Sequence, residues 1–380
     1  MHRMGRRAFR WDYYGTGYYL VTMTLADRSR PLFGRLVGDS PESARIELSP
    51  LGREIDAHLR NIGAFSPEIE VLAAQLMPEH LHAVLRVKSR LAKPFGIALR
   101  GFKGGASQIY WRSASAGETE RKPLFAEGFV DTILGDQDAV SRGVAYTLDN
   151  PRRLWEKRAH PEYFQVVRDL RVPLPCTPAL QSGSCAPALQ SGPCAPALQS
   201  AGFSAIGNHA LLRAPVILQV QCSRSWFEYR RAQDGALLKD SPPLRKTADF
   251  EDRCAAFLEA AAHGAVLVSP CISHGEREIA RLAFMRGHRV ITLRNKGFNP
   301  LYKPGGKLFD QCAAGNLLIL APIAWPYIPG EKAMTRTDAC VLNCIAQWIA
   351  GPGAAEIRYC GVKPAHVAQL ATAALTASQP

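Results

Sequence analysis

The segment spanning residues 77–87 constrains the fold of this chain more than any other stretch. It reads MPEHLHAVLRV, so two histidines, His80 and His82, flank a leucine at the start of an apolar run. Side chains alternate between the faces of a β-strand, which places both imidazoles on one face, about 7 Å apart along the strand, and leaves Leu81 and Leu85 for the other face. The segment therefore predicts a strand with one buried face. Its imidazoles either share a metal ion with a further ligand or are simply half-exposed.

The residues around this strand predict a sheet with helices. Residues 18–25 are rich in β-branched and aromatic side chains, which favours a strand. Ser49 and Pro50 are typical of a helix N-cap and a first helical position. The predicted elements are a strand at 18–25, a helix at 50–60, strands at 70–75 and 80–87, and a helix at 94–111. This order predicts the split β-α-β of a ferredoxin-like α+β sheet.

A third helix begins after Gly135 and Asp136, where turn residues precede an amphipathic pattern. We expect it to end at Asn150, because the residue before a proline is disfavoured in the α region. Tyr146 lies one helical turn before Asn150, so their side chains share one side of the helix end. The pattern predicts a tyrosine and an amide close together.

The second half begins with a low-complexity stretch. Residues 172–212 contain no Asp, Glu, Lys or Arg, and three nine-residue repeats rich in Pro, Ser and Gly begin at Cys176, Cys185 and Cys194. We interpret residues 171–205 as a semi-extended linker. Strand and helix patterns alternate after it, which predicts an α/β domain with a Rossmann-like parallel sheet. The predicted domains are 1–170 and 206–380.

Composition limits the partners and the compartment. The net charge is +13 and the pI is about 9.4, which favours a polyanion such as nucleic acid. The sequence has no run of about 18 apolar residues and no apolar signal core. Its ten cysteines include no CxxC pair, which favours reduced thiols. We therefore expect a cytoplasmic protein that makes no contact with a membrane.

Three segments of the first half resemble one known family. The histidine segment resembles the HUH motif of single-tyrosine transposases, in which U is a bulky hydrophobic residue. Residues 124–134 resemble the W-Q-x-x-F-x-D-x-x-I segment of the REP-associated tyrosine transposases, although Phe125 stands where tryptophan is usual. Residues 146–151 resemble that family's Y-I-x-x-N-P stretch, with Thr147 in place of isoleucine. The matches keep the family's order and spacing over about residues 10–165.

The resemblance implies a nuclease domain that cuts single-stranded or hairpin DNA. His80 and His82 would bind Mg²⁺ or Mn²⁺, and Tyr146 would be the nucleophile that leaves a 5′-phosphotyrosine. A phenol has a pKa of about 10, so a metal that polarises the phosphate helps its attack. Asn150 would be a third ligand, since related transposases place an amide four positions after the tyrosine. A helix C-cap is the other interpretation of Asn150.

Several residues are weaker candidates for the same roles. Glu79 and Asp131 are alternative ligands, and Tyr110 is an alternative nucleophile that core packing explains as well. Near the N-terminus, four arginines alternate with aromatic residues and either grip single-stranded DNA or form a solvated tail. These arginines are Arg3, Arg6, Arg7 and Arg10.

Residues 269–276, with the helix and strand patterns that follow, resemble the Rossmann-type domain of DNA-processing protein A, which binds single-stranded DNA. The resemblance implies phosphate contacts by Ser273 and His274 at a helix N-terminus, and by Arg336 in a turn that lacks the usual Arg-Asn-Arg. A catalytic role is open to His274 and Glu276, although a helix-start cap and a first-turn acid explain them more simply. The lysine-decarboxylase-like nucleotide hydrolases are a rival resemblance.

Three functions follow from these patterns. The leading interpretation is a DNA strand transferase of the transposase type. The second is a domesticated protein that binds hairpin DNA without cutting it. The third places a nucleotide-processing activity in the second half. Whether the protein is a monomer or a homodimer stays open.

Overall fold

The computed structural model describes residues 11–113, 122–173, 201–222, 226–228, 245–330, 332–351 and 364–376. The chain divides into two compact units, Met1–Ala159 and His160–Pro380. The division falls before the predicted boundary at residue 170, because the strand at 167–172 pairs within the second unit. The repeats that begin at Cys176, Cys185 and Cys194 lie outside the described residues.

The described part of the first unit contains six strands and three α-helices. The strands are β1 (Gly17–Thr24), β2 (Gly34–Val37), β3 (Arg45–Leu48), β4 (Ile69–Met77), β5 (His80–Val87) and β6 (Val130–Leu134). The helices are α1 (Pro50–Arg60), α2 (Phe95–Ser113) and α3 (Gln137–Ala159). Strands β2 and β3 form a separate hairpin. The predicted order strand, helix, strand, strand, helix is present, with this hairpin inserted after β1.

The main sheet of this unit has the order β4-β5-β1-β6, and every neighbouring pair is antiparallel. Helices α1 and α2 cover one face, where Tyr19, Leu81 and Leu85 pack against Phe95 and other apolar residues. Helix α3 covers the opposite face, which carries the alternate side chains of β1 and β5, including Val84. The period-two pattern of β5 therefore separates a hydrophobic core from a second, more polar layer.

Two helix ends illustrate what local sequence determines. Helix α1 begins as predicted: the Ser49 hydroxyl accepts a hydrogen bond from the Gly52 amide, and Pro50 occupies the first position. The predicted end of α3 at Asn150 is wrong, since the helix continues through Pro151 to Ala159. The Asn150 side chain explains the difference, as described below.

The second unit contains a larger sheet. Its strands are β7 (Val167–Val172), β8 (Ala201–Gly207), β9 (Ile217–Gln219), β10 (Phe227–Glu228), β11 (Arg245–Lys246), β12 (Val266–Ser269), β13 (Val290–Leu293) and β14 (Leu317–Pro322). Its helices are α4 (Ala248–Ala262), α5 (His274–Met285), α6 (Lys307–Ala313), α7 (Arg336–Ala350) and α8 (Pro364–Thr376). Strand β8 occupies residues that the sequence assigned mostly to the linker.

The six-stranded sheet of this unit is mixed, with the order β7-β8-β14-β13-β12-β9. The strands β9, β12, β13 and β14 are parallel and follow chain order across the sheet. Strands β8 and β7 then add antiparallel pairs, which corrects the expectation of a purely parallel sheet. Helices α7 and α8 pack on one face, and α4, α5 and α6 pack on the other. Among the described helices, none combines the length and apolar character needed to cross a bilayer.

Candidate active site

Two imidazoles converge on the α3 side of the first unit's sheet. The Nε2 atoms of His80 and His82 are 3.2 Å apart, and the ring planes are nearly perpendicular. His82 is 6% exposed and His80 is partly buried. Burial, together with the positive charge that His80 can carry, lowers the pKa of His82 to about 3. A neutral imidazole keeps a lone pair available to a metal ion or to a hydrogen bond.

The Nδ1 atom of each ring also has a hydrogen-bond partner. The Nδ1 atom of His82 lies 2.9 Å from the Thr22 hydroxyl, and Thr22 is directly opposite His82 in the β1–β5 register. The Nδ1 atom of His80 lies 3.2 Å from a carboxylate oxygen of Glu79. This hydrogen bond lowers the pKa of Glu79, which favours its ionised form. Carboxylate and hydroxyl partners of this kind orient histidines that ligate metals.

The geometry of the pair fits a divalent ion. Two nitrogen ligands about 2.0–2.1 Å from one ion are roughly 3 Å apart, close to the separation seen here. Within the described residues, however, no group of three or more His, Cys, Asp and Glu side chains is placed to hold a metal. The remaining ligands would therefore be an amide, water or substrate oxygens. Imidazole nitrogens suit transition metals better than Mg²⁺.

Tyr146 lies beside this pair. Its ring meets the His82 ring edge-on, with the centroids 5.5 Å apart, and 39% of the residue is exposed. Helix α3 brings Tyr146 there because Val140 and Gly143, on the neighbouring face, pack against the sheet. A Cβ added at Gly143 would lie 3.1 Å from a Leu134 methyl group, so glycine permits this close approach. The rings of Tyr146, His82 and His80 thus lie in one continuous row of contacts on the α3 side of the sheet.

The Asn150 side chain makes hydrogen bonds to the backbone of its own helix. Its Nδ2 group donates to the carbonyl oxygens of Tyr146 and Thr147, at 2.7 and 3.3 Å. Pro151 has no N–H to give to the Thr147 carbonyl, so the Asn150 amide supplies the missing donor. The helix continues through the proline for this reason, and Asn150 is therefore not a C-cap. Its role as a metal ligand stays a prediction, and its Oδ1 atom is the one suited to that role.

The structure adds basic residues that sequence reasoning missed. The Arg153 guanidinium lies over the Tyr146 ring, 5.4 Å from its centroid, and also 3.7 Å from an Asp149 oxygen. Lys157 is close enough to His82 to lower its pKa. Tyr146, Arg153 and Lys157 follow one another at spacings of seven and four, which place them on one helix face. This spacing could have identified Arg153 and Lys157 from the sequence. It was not recognised because the helix was predicted to end before Pro151.

Two alternative candidates lie on the other face of the sheet. Asp131 pairs with Val21 in the β1–β6 register and accepts a hydrogen bond from the Tyr13 hydroxyl at 3.0 Å. Tyr110 packs against the core between the sheet and helices α1 and α2. Val21 and the rest of that core face away from His80 and His82. The sheet therefore separates Asp131 and Tyr110 from the histidine pair.

In the second unit, a capping box begins α5 where the sequence predicts phosphate contacts. The Ser273 hydroxyl accepts from the Glu276 amide, and the Glu276 carboxylate accepts from the Ile272 and Ser273 amides. Glu276 is 5% exposed, and this burial raises its pKa. The carboxylate therefore occupies the N–H groups of Ile272 and Ser273, and the contact of Ser273 with a phosphate stays a prediction. His274 and Arg336 are exposed, and their contacts with DNA stay predictions.

The N-terminal arginines Arg3, Arg6, Arg7 and Arg10 lie outside the described residues. Their predicted contacts with DNA therefore stay predictions.

Known proteins are similar to this chain over parts of its length. No protein-family model matches the chain. An uncharacterised protein of Haemophilus influenzae (strain ATCC 51907 / DSM 11121 / KW20 / Rd) is 23% identical over 176 residues, which cover 41% of this chain and 91% of that protein.

Two solved structures are similar to part of the chain, and both are described as transposases. One is a REP-associated tyrosine transposase bound to a REP hairpin, with 16% identity and a TM-score of 0.28 over 38% of this chain and 73% of the other. The second is a candidate transposase from Deinococcus radiodurans R1, with 11% identity and a TM-score of 0.24 over 39% of this chain and 98% of the other. Both TM-scores are below 0.5, so we base the function proposed below on the side chains of the first unit.

Proposed function

We propose that the first unit is a metal-dependent DNA strand transferase of the transposase type, with Tyr146 as its nucleophile. The observation that carries this proposal is the contact between the Tyr146 and His82 rings, beside two Nε2 atoms that converge to 3.2 Å. The strand order β4-β5-β1-β6 also supports a ferredoxin-like fold for this unit. The substrate class is single-stranded or hairpin DNA.

The histidine pair is suited to hold the metal. The Nε2 atoms of His80 and His82 would be the protein ligands, with the Asn150 amide oxygen as a further candidate. A bound Mg²⁺ or Mn²⁺ supplies Lewis-acid polarisation of the scissile phosphate. Thr22 and Glu79 hold the two rings from behind, so the ligand atoms stay directed at one point.

Tyr146 performs the covalent step. Its Oη atom forms a bond to phosphorus, and the bond from phosphorus to the 3′ oxygen breaks. The phenolic proton leaves, and the 3′ oxygen takes up one proton to become a hydroxyl. One phosphate ester replaces another without consuming water, so its energy is conserved for rejoining to a second DNA end.

Positive charge beside Tyr146 supports this step. Arg153 stacks over the ring of Tyr146, and Lys157 is near His82. Both cations favour binding of the DNA phosphate and offset charge that develops on it during attack. The net charge of +13 favours DNA binding by the whole chain. The N-terminal arginines, and His274 and Arg336 of the second unit, would extend the contact with DNA.

The proposal is tested by incubating the full-length protein with labelled single-stranded hairpin DNAs and Mn²⁺. A denaturing gel separates free DNA from DNA covalently bound to protein. We expect an adduct with the wild type and none with Tyr146→Phe, which removes only the nucleophilic oxygen. Tyr110→Phe is the matched control, because it removes the same atom on the other side of the sheet.

Each outcome points to one interpretation. An adduct that persists in Tyr146→Phe contradicts the assignment of the nucleophile. DNA binding without an adduct, across a panel of hairpins, favours the protein that binds without cutting. Nucleotide turnover by a full-length Tyr146→Phe variant would favour an activity in the second unit.

A further inference from the structure

Four side chains form a continuous hydrogen-bonded row across β1, β5 and the turn before β5. The row runs from the Thr22 hydroxyl to His82 Nδ1 at 2.9 Å, from His82 Nε2 to His80 Nε2 at 3.2 Å, and from His80 Nδ1 to Glu79 at 3.2 Å. Each contact needs one hydrogen, and each ring nitrogen either donates or accepts. The row therefore restricts where the imidazole hydrogens lie.

The Glu79 end of the row fixes one hydrogen. An ionised carboxylate only accepts hydrogen bonds, so His80 carries a hydrogen on Nδ1. When both rings are neutral, His80 Nε2 is then an acceptor, and His82 Nε2 must be the donor between them. His82 Nδ1 accordingly accepts a hydrogen bond from the Thr22 hydroxyl. In this tautomer the lone pair of His82 Nε2 is not available to a metal.

Metal binding needs the other tautomer of His82. Its hydrogen must move to Nδ1, so that the lone pairs of both Nε2 atoms face the ion. The Nδ1–H group then needs an acceptor, because a buried donor without a partner is costly. A threonine hydroxyl serves both tautomers, since it donates to one and accepts from the other. Thr22 is therefore the group that lets His82 change tautomer without losing its hydrogen bond.

We propose that Thr22 is a positioning residue for the metal, which holds the His82 ring and accepts its Nδ1 hydrogen in the metal-binding tautomer. This role rests on the function proposed above. The sheet register sets the contact, because Thr22 and His82 are direct cross-strand neighbours. No side chain other than Thr22 and His80 makes a hydrogen bond to His82 among the described residues.

Thr24 provides a matched control on the same strand face. It lies directly opposite His80, as Thr22 lies opposite His82. Its hydroxyl makes no side-chain hydrogen bond to either histidine in the described structure. Valine keeps the shape and the strand preference of threonine at both positions. Thr22→Val therefore loses a hydrogen bond to the histidine pair, whereas Thr24→Val does not.

The experiment measures Mn²⁺ affinity of the full-length protein without DNA, from the electron paramagnetic resonance signal of free Mn²⁺. We expect Thr22→Val to weaken the affinity about 10- to 100-fold, the usual cost of losing a partner behind a metal ligand. Thr24→Val and Thr22→Ser should stay close to the wild type. Nitrogen-15 NMR of His82 should show Nδ1 protonated in the zinc-loaded wild type, where Zn²⁺ replaces the paramagnetic ion.

A second pair of variants guards against a folding defect. Thr22→Ser and Thr22→Ala are both smaller than threonine and differ only in the hydroxyl, so a weaker affinity in the alanine variant alone supports the proposal. Equal affinity in the wild type, Thr22→Val and Thr22→Ala overturns the role of Thr22 and leaves the metal site standing. Absence of Mn²⁺ binding by the wild type itself overturns the proposed metal site, and the role of Thr22 with it.

Discussion

The two faces of the first unit's sheet differ in the size of their apolar cores and in the polar side chains that they carry. The face covered by α1 and α2 buries large aromatic and aliphatic side chains, among them Tyr19, Phe95 and Phe102. The face covered by α3 has a small apolar contact, made by Ala73, Val84, Leu134 and Val140. Beside that contact lie the histidine pair, Tyr146 and basic residues.

The difference shows how one short sheet supports both stability and chemistry. Large apolar area on one face supplies most of the burial that stabilises the unit. The other face can then carry polar groups that add little to stability and need defined positions. Mutations on the two faces should therefore separate stability from activity, and the predictions below test that separation.

The largest effect is expected from removing the histidine pair. In His80→Ala/His82→Ala, cleavage of hairpin DNA should fall by more than about 10²-fold, the scale of losing one electrostatic stabiliser of a transition state. DNA affinity should persist, because phosphate contacts supply most non-specific binding. Gel assays of cleavage and binding on the same DNA measure both. Undiminished cleavage would contradict the metal-site assignment.

A substitution on the face covered by α1 and α2 should lower stability and leave the activity of the folded protein intact. Phe102 is fully buried, stacks with His58 and packs at a tilt against Phe125, so Phe102→Ala should lower the free energy of unfolding by about 3–5 kcal/mol. Denaturant unfolding followed by circular dichroism measures the change. The fraction that stays folded should still form the DNA adduct. A variant that is fully folded and inactive would show that the two faces are not separable.

Burial of His82 should make stability depend on pH. Its pKa falls from about 6.5 in the unfolded chain to about 3 in the folded one, so the unfolded chain binds one more proton between these values. The free energy of unfolding therefore has its full value above pH 6.5. It falls as the pH drops below that value, by up to about 1.4 kcal/mol per pH unit.

Unfolding curves between pH 7 and pH 4 test this expectation. His82→Asn should flatten the dependence on pH relative to the wild type. An equal slope in both proteins would mean that another group titrates.

The smallest effect is expected on the free energy of unfolding, from removing the buried Thr147 hydroxyl. Thr147 is fully buried, and its Oγ1 atom has no hydrogen-bond partner in the described structure. Thr147→Val keeps the shape and removes this unsatisfied group, so it should raise the free energy of unfolding by about 1 kcal/mol. Adduct formation should not change. A loss of stability in this variant would indicate that the hydroxyl has a partner after all.

Local patterns predicted several elements of the first unit correctly. The cap at Ser49, the first-position proline and the strand that carries His80 and His82 depend on neighbouring residues, and all three are present. The resemblance implied that His82 and Tyr146 act in one site, and their rings are in contact in the structure. Their roles as metal ligand and nucleophile stay predictions.

Other features depended on contacts that local patterns do not contain. Pro151 predicted a helix end, but the Asn150 amide replaces the lost backbone donor, and the helix continues to Arg153 and Lys157. Thr22 lies 60 residues before His82, and only the sheet register joins them. In the second unit, the local pattern at Ser273 fitted both a phosphate contact and a helix cap; the structure shows the capping box with Glu276, and the phosphate contact stays a prediction.

The central claim is that Tyr146 and the histidine pair form one active site on the α3 face. The most direct test is mass spectrometry of the covalent complex formed with hairpin DNA and Mn²⁺, after nuclease and protease digestion. We predict a nucleotide adduct on the peptide that contains Tyr146, and no adduct in the His80→Ala/His82→Ala variant. An adduct on the Tyr110 peptide, or one that forms without the histidines, would contradict the account.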